Sequence, residues 1–288
     1  MTFTANGEYL VAGTTNDVRV WQVKDGKHVA TMAVGSYMYC VAASRNGRWI
    51  AAGSTSGDVL VWDATTYNQV FAERTGITTY DVDFSTHLVS ASSNGTATIR
   101  DVAARRNLRT LNHGNYLYSA KYSPQGDRIA TGDPGSIRVW DSNDGQLLVS
   151  INVGVANLNC LFWCNNHLFV RPGDSIIKQI DAATGSTLSE WPVPAAAGWP
   201  CIAVPRHGDF IACTATKAIT VWDTTTHSQL SHIQLTHNIS SIACSSDDEF
   251  LAIGGGRIIV KELLSPVSVC SMSCLRFILV TSRFHHAF

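Results

Sequence analysis

The residues of this chain best suited to chemistry are its cysteines, its histidines and one run of glycines. Eight cysteines stand at positions 40, 160, 164, 201, 213, 244, 270 and 274. Cys160 and Cys164, like Cys270 and Cys274, are separated by three residues, where a zinc knuckle uses two. On a strand such a pair points one way but lies roughly 13 Å apart, too far to share an ion. Most cysteines sit inside apolar strand patterns with no secretory signal before them, which is expected of buried thiols in a reducing compartment. Gly254-Gly255-Gly256-Arg257 lacks both the spacing and the following helix of a phosphate loop. No Gly-x-Ser-x-Gly elbow occurs, and His285-His286 ends the chain in what reads as a disordered tail. His113 is left as a candidate ligand or proton shuttle, against a structural reading in which a buried histidine survives by being hydrogen-bonded. No catalytic, metal or cofactor site is expected.

The elements that carry these residues repeat. A cassette of three alternating β-formers ends at Trp21, Trp62, Arg100, Trp140, Ile180, Trp222 and Lys261, in steps of 41, 38, 40, 40, 42 and 39 residues. A period near 40 means one supersecondary unit repeated seven times. Residues 115 to 150 show the whole unit: a strand to Ser123, a Pro124-Gln125-Gly126-Asp127 turn, a strand from Arg128 to Gly132, a turn at Asp133-Pro134-Gly135, a strand from Ser136 to Asp141, a turn at Asn143-Asp144-Gly145, and a strand from Gln146 to Ile151. Four short antiparallel strands of this kind make one propeller blade. The same grammar places inner strands at 36 to 44, 77 to 85, 115 to 123, 157 to 164, 199 to 205 and 239 to 245. The first unit begins with only the end of an inner strand at Phe3-Thr4, so the ring is short of one inner and one outer strand. Residues 267 to 272 could supply the last outer strand and Cys274 to Thr281 the inner strand of the first blade. Alternatively, 265–288 is a tail foreign to the propeller, with 1–264 as the propeller itself.

In its clearest form the cassette reads Ile137-Arg138-Val139-Trp140-Asp141 or Ile219-Thr220-Val221-Trp222-Asp223. The chain therefore resembles the WD-repeat β-propellers over residues 3 to 262, with degenerate repeats, and the resemblance implies an all-β seven-bladed propeller of four-stranded blades. It further implies a buried tetrad of a His before the inner strand, a Ser or Thr of the second strand, an Asp in the next turn and the Trp. His113, Thr131, Trp140 and Asp133 fit that tetrad in one unit. Elsewhere the His position holds residues such as Val34, Thr75 and Leu235, and the turn Asp is replaced by residues such as Thr15, Ser56, Asn94 and Thr216. Trp21, Trp62, Trp140 and Trp222 are expected as structural landmarks. The acidic residue after the landmark recurs as Asp63, Asp101, Asp141, Asp181, Asp223 and Glu262, a turn-forming position. Asp181-Ala182-Ala183-Thr184-Gly185 followed by Trp191 also resembles the signature of quinoprotein propellers, which keeps a cofactor-binding enzyme open as an alternative.

In such propellers the loops leading into the inner strands share one face with the loops between second and third strands. Tyr37-x-Tyr39 and Tyr116-x-Tyr118 open two inner strands there and Trp199 a third, so they could form an aromatic rim or pack between blades. Arg171 and His237 are expected near the same face. Lys plus Arg number 21 and Asp plus Glu 22, so no basic field favours nucleic acid or anionic membranes, and no stretch suits membrane insertion. These features predict a non-catalytic cytoplasmic scaffold, nuclear residence being compatible, that binds a protein or peptide through Tyr37, Tyr39, Tyr116, Tyr118, Trp199, Arg171 and His237. A ligand-sensing fragment of a larger signalling protein is the third reading.

Overall fold

The computed structural model describes residues 1–154, 160–172, 175–195, 201–255, 257–262 and 277–280. Seven four-stranded antiparallel sheets follow one another along the chain, and no helix occurs among the described residues. Blade 1 is β1 (Thr2–Phe3), β2 (Tyr9–Gly13), β3 (Asp17–Gln22) and β4 (His28–Ala33). Blade 2 is β5 (Met38–Ala43), β6 (Trp49–Ser54), β7 (Asp58–Asp63) and β8 (Gln69–Arg74), and blade 3 is β9 (Thr79–Phe84), β10 (Leu88–Ser92), β11 (Thr96–Asp101) and β12 (Arg106–Asn112). Blade 4 is β13 (Ser119–Tyr122), β14 (Arg128–Gly132), β15 (Ser136–Asp141) and β16 (Leu147–Asn152), and blade 5 is β17 (Leu161–Cys164), β18 (His167–Val170), β19 (Ile176–Asp181) and β20 (Thr187–Pro192). Blade 6 is β21 (Ile202–Ala203), β22 (Phe210–Thr214), β23 (Ala218–Asp223) and β24 (Gln229–Gln234), and blade 7 is β25 (Ile239–Cys244), β26 (Phe250–Gly255), β27 (Ile258–Glu262) and β28 (Phe277–Val280).

The middle strands of each blade are buried on both faces, and their side chains fuse with the neighbouring blade's. One such cluster joins Ala130, Ile137 and Val139 of blade 4 to Leu161, Leu168 and Ile180 of blade 5. Alternating apolar positions therefore serve two sheets at once, which is why so few strands read as amphipathic.

The expected exchange of strands between the termini does not occur. Thr2–Phe3 is itself the inner strand of blade 1, and Phe277–Val280, expected within an inner strand at 274 to 281, is the outer strand of blade 7, paired along β27 from Ile258↔Val280 to Lys261↔Phe277. It covers an edge that β27 would otherwise leave open. Residues 267 to 272, expected as that outer strand, lie outside the described residues. Blade 7 meets blade 1 by packing instead: Phe3, Leu10, Trp21 and Val23 cluster with Ala252, Ile258 and Val260, and Ser246 Oγ donates to the Ala5 carbonyl at 2.7 Å.

A register shift falls at the landmark in six blades, immediately before Trp21, Trp62, Arg100, Trp140, Ile180 and Trp222. The bulge turns the landmark side chain inward and leads into the acidic turn. Asp63 accepts the backbone N–H of Thr65 and Thr66, Asp141 those of Asn143 and Asp144, Asp181 those of Ala183 and Thr184, and Asp223 those of Thr225 and Thr226. These backbone bonds hold the Asp63, Asp181 and Asp223 carboxyls below their usual range. The quinoprotein-like stretch at Asp181 is thus one copy of a turn that the chain uses repeatedly.

Each of these turns ends in a left-handed residue. Gly26, Gly145 and Gly185 fill that position without strain, whereas Arg105 holds it at φ 53°. Arg105→Gly is expected to raise stability by about 0.5 kcal/mol, read as a higher urea midpoint; a lower midpoint would mean that the exposed arginine contributes more than the strain costs.

Candidate interaction face

The loops leading into the inner strands of blades 2 to 4 are locked to the loops between second and third strands. Thr55 N donates to Tyr37 O at 3.0 Å, Ser93 N to Thr78 O at 2.9 Å, His113 N to Gly95 O at 2.9 Å and Met38 N to Thr14 O at 3.0 Å. Gly57 shows how closely the loops meet. At φ 85° it lies against the backbone of residues 76–77, and a Cβ there would stand 2.2 Å from Ile77 N.

On this platform stands a run of tyrosines. Tyr39, Tyr80 and Tyr118 occupy equivalent positions in blades 2, 3 and 4: Tyr39 and Tyr80 stand at the register shifts that follow the first paired residues Met38 and Thr79, and Tyr118 immediately before Ser119 opens the β13 ladder. Their ring centroids lie 5.1 Å apart from Tyr39 to Tyr80 and again from Tyr80 to Tyr118. Tyr37 extends the run by an edge contact with Tyr39 at 5.5 Å. Tyr116 is 57 % exposed, Tyr39 45 % and Tyr37 42 %. The two readings of these rings are therefore not alternatives, since they pack between blades and face solvent together. Tyr80 was not singled out by sequence because it stands alone in Tyr80-Asp81-Val82-Asp83. Burial, then the hydroxyls of Tyr39, Tyr118 and Tyr116, raises the Tyr80 phenol above its usual value. The strand at 115 to 123 begins only at Ser119, so Tyr116 and Tyr118 rise from the loop, with Leu117 buried between them.

Beneath the tyrosines the adjoining inner strands of blades 3 and 4 are fastened by carboxylates. Asp81 Oδ2 accepts from Ser119 Oγ at 2.8 Å and Ala120 N at 3.1 Å, its Oδ1 meets Lys121 Nζ at 2.8 Å, and Asp83 Oδ2 accepts from Tyr122 N at 2.8 Å. Side chains here satisfy N–H groups that no strand pairs. Burial works to lower Lys121, but Asp81 and Asp83 outweigh it and bring the ammonium up to about 12. Burial raises the Asp83 carboxyl.

The tetrad expected around His113 is present and has one further member. His113 Nδ1 meets Thr131 Oγ1 at 2.8 Å, Trp140 Nε1 donates to the same hydroxyl at 2.8 Å, and His113 Nε2 lies 3.0 Å from Ser136 Oγ and 3.4 Å from Asp133 Oδ2. Around it the WD domain, G-beta repeat family model matches residues 105–141, and it matches 26–63 as well. Two of its repeat units therefore match WD repeats, in a fold of seven four-stranded blades. Solved structures with this architecture include the RRP9 WD40 repeats, with a TM-score of 0.78 and 18% identity over 88% of this chain and 85% of that one. U3-55K is similar, with a TM-score of 0.77 and 18% identity over 88% and 86%. Among curated proteins, a Periodic tryptophan protein 2 homolog of Dictyostelium discoideum is 32% identical over 49% of this chain and 17% of its own length. Protein HIR1 of Candida albicans is 29% identical over 39% and 12%. The chain thus spans less than a fifth of either curated relative.

Other blades of the propeller replace the tetrad. In blade 3 Arg100 takes the Trp place and donates from Nη1 to Ser90 Oγ at 2.6 Å, as Trp140 does to Thr131. It also pairs with Glu73 of blade 2. In blade 6 Trp222 Nε1 bonds Thr220 Oγ1 at 3.0 Å, and Asp17 and Asp58, at the starts of β3 and β7, take the hydroxyls of Thr14 and Ser54 at 2.6 and 3.0 Å. Trp21 and Trp62 are buried.

The remaining predicted contact residues fare differently. Arg171 is not on the surface: it is fully buried, donating from Nη1 to Thr214 O at 2.6 Å and from Nη2 to Pro194 O at 2.9 Å, and so ties blade 5 to blade 6. A guanidinium can be buried there because backbone carbonyls receive it. His237 is half-buried beside Thr236 Oγ1 at 2.7 Å, in the loop leading into the inner strand of blade 7. Trp199 lies outside the described residues. At the other ends of the inner strands, a cleft of about 360 Å³ is lined by residues including Pro124, Trp163, Arg206 and His207.

Proposed function

We propose that this propeller is a non-catalytic scaffold that holds a protein or peptide partner on the face bearing Tyr37, Tyr39, Tyr80, Tyr116 and Tyr118. The observation that carries this reading is the placing of Tyr39, Tyr80 and Tyr118 at one equivalent position in three consecutive blades, in unbroken ring contact. Tyrosine offers large contact area at low entropic cost, and rings on hydrogen-bonded loops are already ordered before a partner arrives. The near balance of 21 basic and 22 acidic residues supports a protein partner over nucleic acid. A cytoplasmic, reducing setting belongs to the same proposal and suits the buried thiols of Cys164 and Cys213.

The test is quantitative affinity capture from cells with mass spectrometry, comparing the wild type with a Tyr37→Ala/Tyr39→Ala/Tyr116→Ala triple variant. At least one abundant partner is expected to fall tenfold or more, with the melting temperature unchanged within about 3 °C because the three rings are solvent-facing. Identical partner profiles would reject this face as the binding surface.

A further inference from the structure

The proposed scaffold face has a donor, acceptor and charge pattern that narrows what can lie on it, and the inference below rests on that reading of the face. The loops around the tyrosines read 34–37 Val-Gly-Ser-Tyr, 55–57 Thr-Ser-Gly, 75–78 Thr-Gly-Ile-Thr, 93–95 Ser-Asn-Gly, 113–118 His-Gly-Asn-Tyr-Leu-Tyr and 133–135 Asp-Pro-Gly. They contain no Lys, Arg or Glu. Asp133, the single acid among them, is committed to Gly135 N, Ser136 N and Ser136 Oγ at 2.8, 2.6 and 3.0 Å. Asp81, beneath the rings, is matched by Lys121. A charged side chain laid here would lose hydration and meet no partner charge.

The main chain of the platform is also spent. The carbonyls of Thr14, Tyr37, Thr55, Gly57, Thr78 and Gly95 each accept a hydrogen bond from a neighbouring loop or strand. The strand edge beneath is closed by Asp81 and Asp83. A peptide that brought a row of N–H groups, as an added strand does, would find few acceptors. What the face does offer is phenol hydroxyls. Among the described residues no hydrogen bond occupies those of Tyr37, Tyr39, Tyr80, Tyr116 and Tyr118, and each can donate to a carbonyl. Successive rings are tilted by 52° to 76°, so each neighbouring pair forms an apolar notch with polar tips.

We infer that the segment held on this face is an uncharged, proline-rich stretch in the polyproline II conformation. Proline has no N–H to leave unsatisfied, its carbonyls point outward to accept from the tyrosine hydroxyls, and its ring is a flat apolar body of a size to enter a notch between tilted phenols. The segment is extended before it binds, so little chain entropy is lost.

The probe is a fluorescein-labelled decaproline, titrated with the purified chain and read by anisotropy, beside a glycine-serine decapeptide and a decauridylate RNA carrying the same label. Decaproline is expected to bind at least tenfold more tightly than either control. Tyr80→Ala should weaken it at least tenfold, Tyr80→Phe about fivefold through loss of one hydroxyl, and Leu188→Ala, on an outer strand of blade 5, not at all. Tyr116→Ala, at the most exposed ring, gives the same readout should Tyr80→Ala fail to fold. Equal binding of the glycine-serine peptide, preference for the RNA, or decaproline affinity indifferent to both Tyr80→Ala and Tyr116→Ala would each overturn the inference. If decaproline fails while the triple tyrosine variant still loses its captured partner, the ligand class is wrong and the scaffold face stands.

Discussion

Thr131→Val is expected to destabilise the propeller by about 3 kcal/mol, or about 5 °C in melting temperature for a chain of this length. Valine keeps the shape of threonine and removes one oxygen, yet that oxygen serves two buried groups. Thr131 is fully buried, His113 is 2% exposed and Trp140 7%. Without the hydroxyl both the Trp140 indole N–H and His113 Nδ1 lose partners at 2.8 Å, and each orphaned group costs about 1–3 kcal/mol. The same network sets a pH dependence. Trp140 donates to Thr131, Thr131 can donate to His113 Nδ1, and His113 Nε2 is left to donate toward Ser136 and Asp133, so the ring sits in its neutral form. Burial depresses its pKa to about 4, with Asp133 opposing the shift in part. Above pH 6.5 the ring is neutral folded or unfolded and no cost arises. As pH falls from 6.5 to 4 the unfolded chain takes up a proton that the folded one refuses, and stability drops by roughly 3 kcal/mol in all. His113→Gln should flatten that part of the stability profile, measured by urea unfolding at pH 7, 5.5 and 4.5. A Thr131→Val cost below about 1 kcal/mol, or a profile unchanged by His113→Gln, would show that the network carries little of the stability of blade 4.

What could be read from sequence followed from what strands and turns demand locally. The landmark step near 40 residues reflects one blade per unit, and Pro124-Gln125-Gly126-Asp127 or Asp133-Pro134-Gly135 mark turns because their backbones can do little else. The His113 tetrad was legible through the resemblance to WD repeats, whose pattern His113, Thr131, Asp133 and Trp140 keep in one unit. The misreadings share a cause, which is partners brought in from another blade. Arg171 was placed near the interaction face by its loop position, whereas its guanidinium is buried against the carbonyls of Pro194 and Thr214. Tyr80 has no second tyrosine two residues away, as Tyr37 and Tyr39 or Tyr116 and Tyr118 have, and its ring contacts come from Tyr39 and Tyr118, 41 and 38 residues away. Phe277–Val280 has the β-forming character of either an inner or an outer strand, and the open edge of β27 decided between them. Asp81 and Asp83, whose role no single strand shows, accept backbone N–H groups of the next blade.

Glu73→Ala is expected to cost about 2 kcal/mol although Glu73 is itself 28% exposed, because the loss falls on its partner. Arg100 is only 2% exposed and occupies a place built for a tryptophan. Its guanidinium reaches Ser90 Oγ at 2.6 Å and Thr98 O at 3.1 Å, which satisfies two N–H groups, but Glu73 is the acid paired with its charge. Burial pushes the Glu73 carboxyl up, and the bond and charge of Arg100 outweigh it, leaving Glu73 below its usual value. The arginine therefore keeps the hydrogen bond of the missing indole and adds a tie from the outer strand of blade 2 to blade 3. Removing the acid leaves a buried cation without its counter-charge, whereas removing both charges leaves no buried ion to solvate. Glu73→Ala/Arg100→Leu is accordingly expected to be more stable than Glu73→Ala alone by at least 1 kcal/mol, with a coupling of similar size in the double-mutant cycle. Chemical denaturation of the four proteins measures it. Additive costs would mean that Ser90 and Thr98 suffice to hold the guanidinium and that blades 2 and 3 are joined by their apolar faces alone.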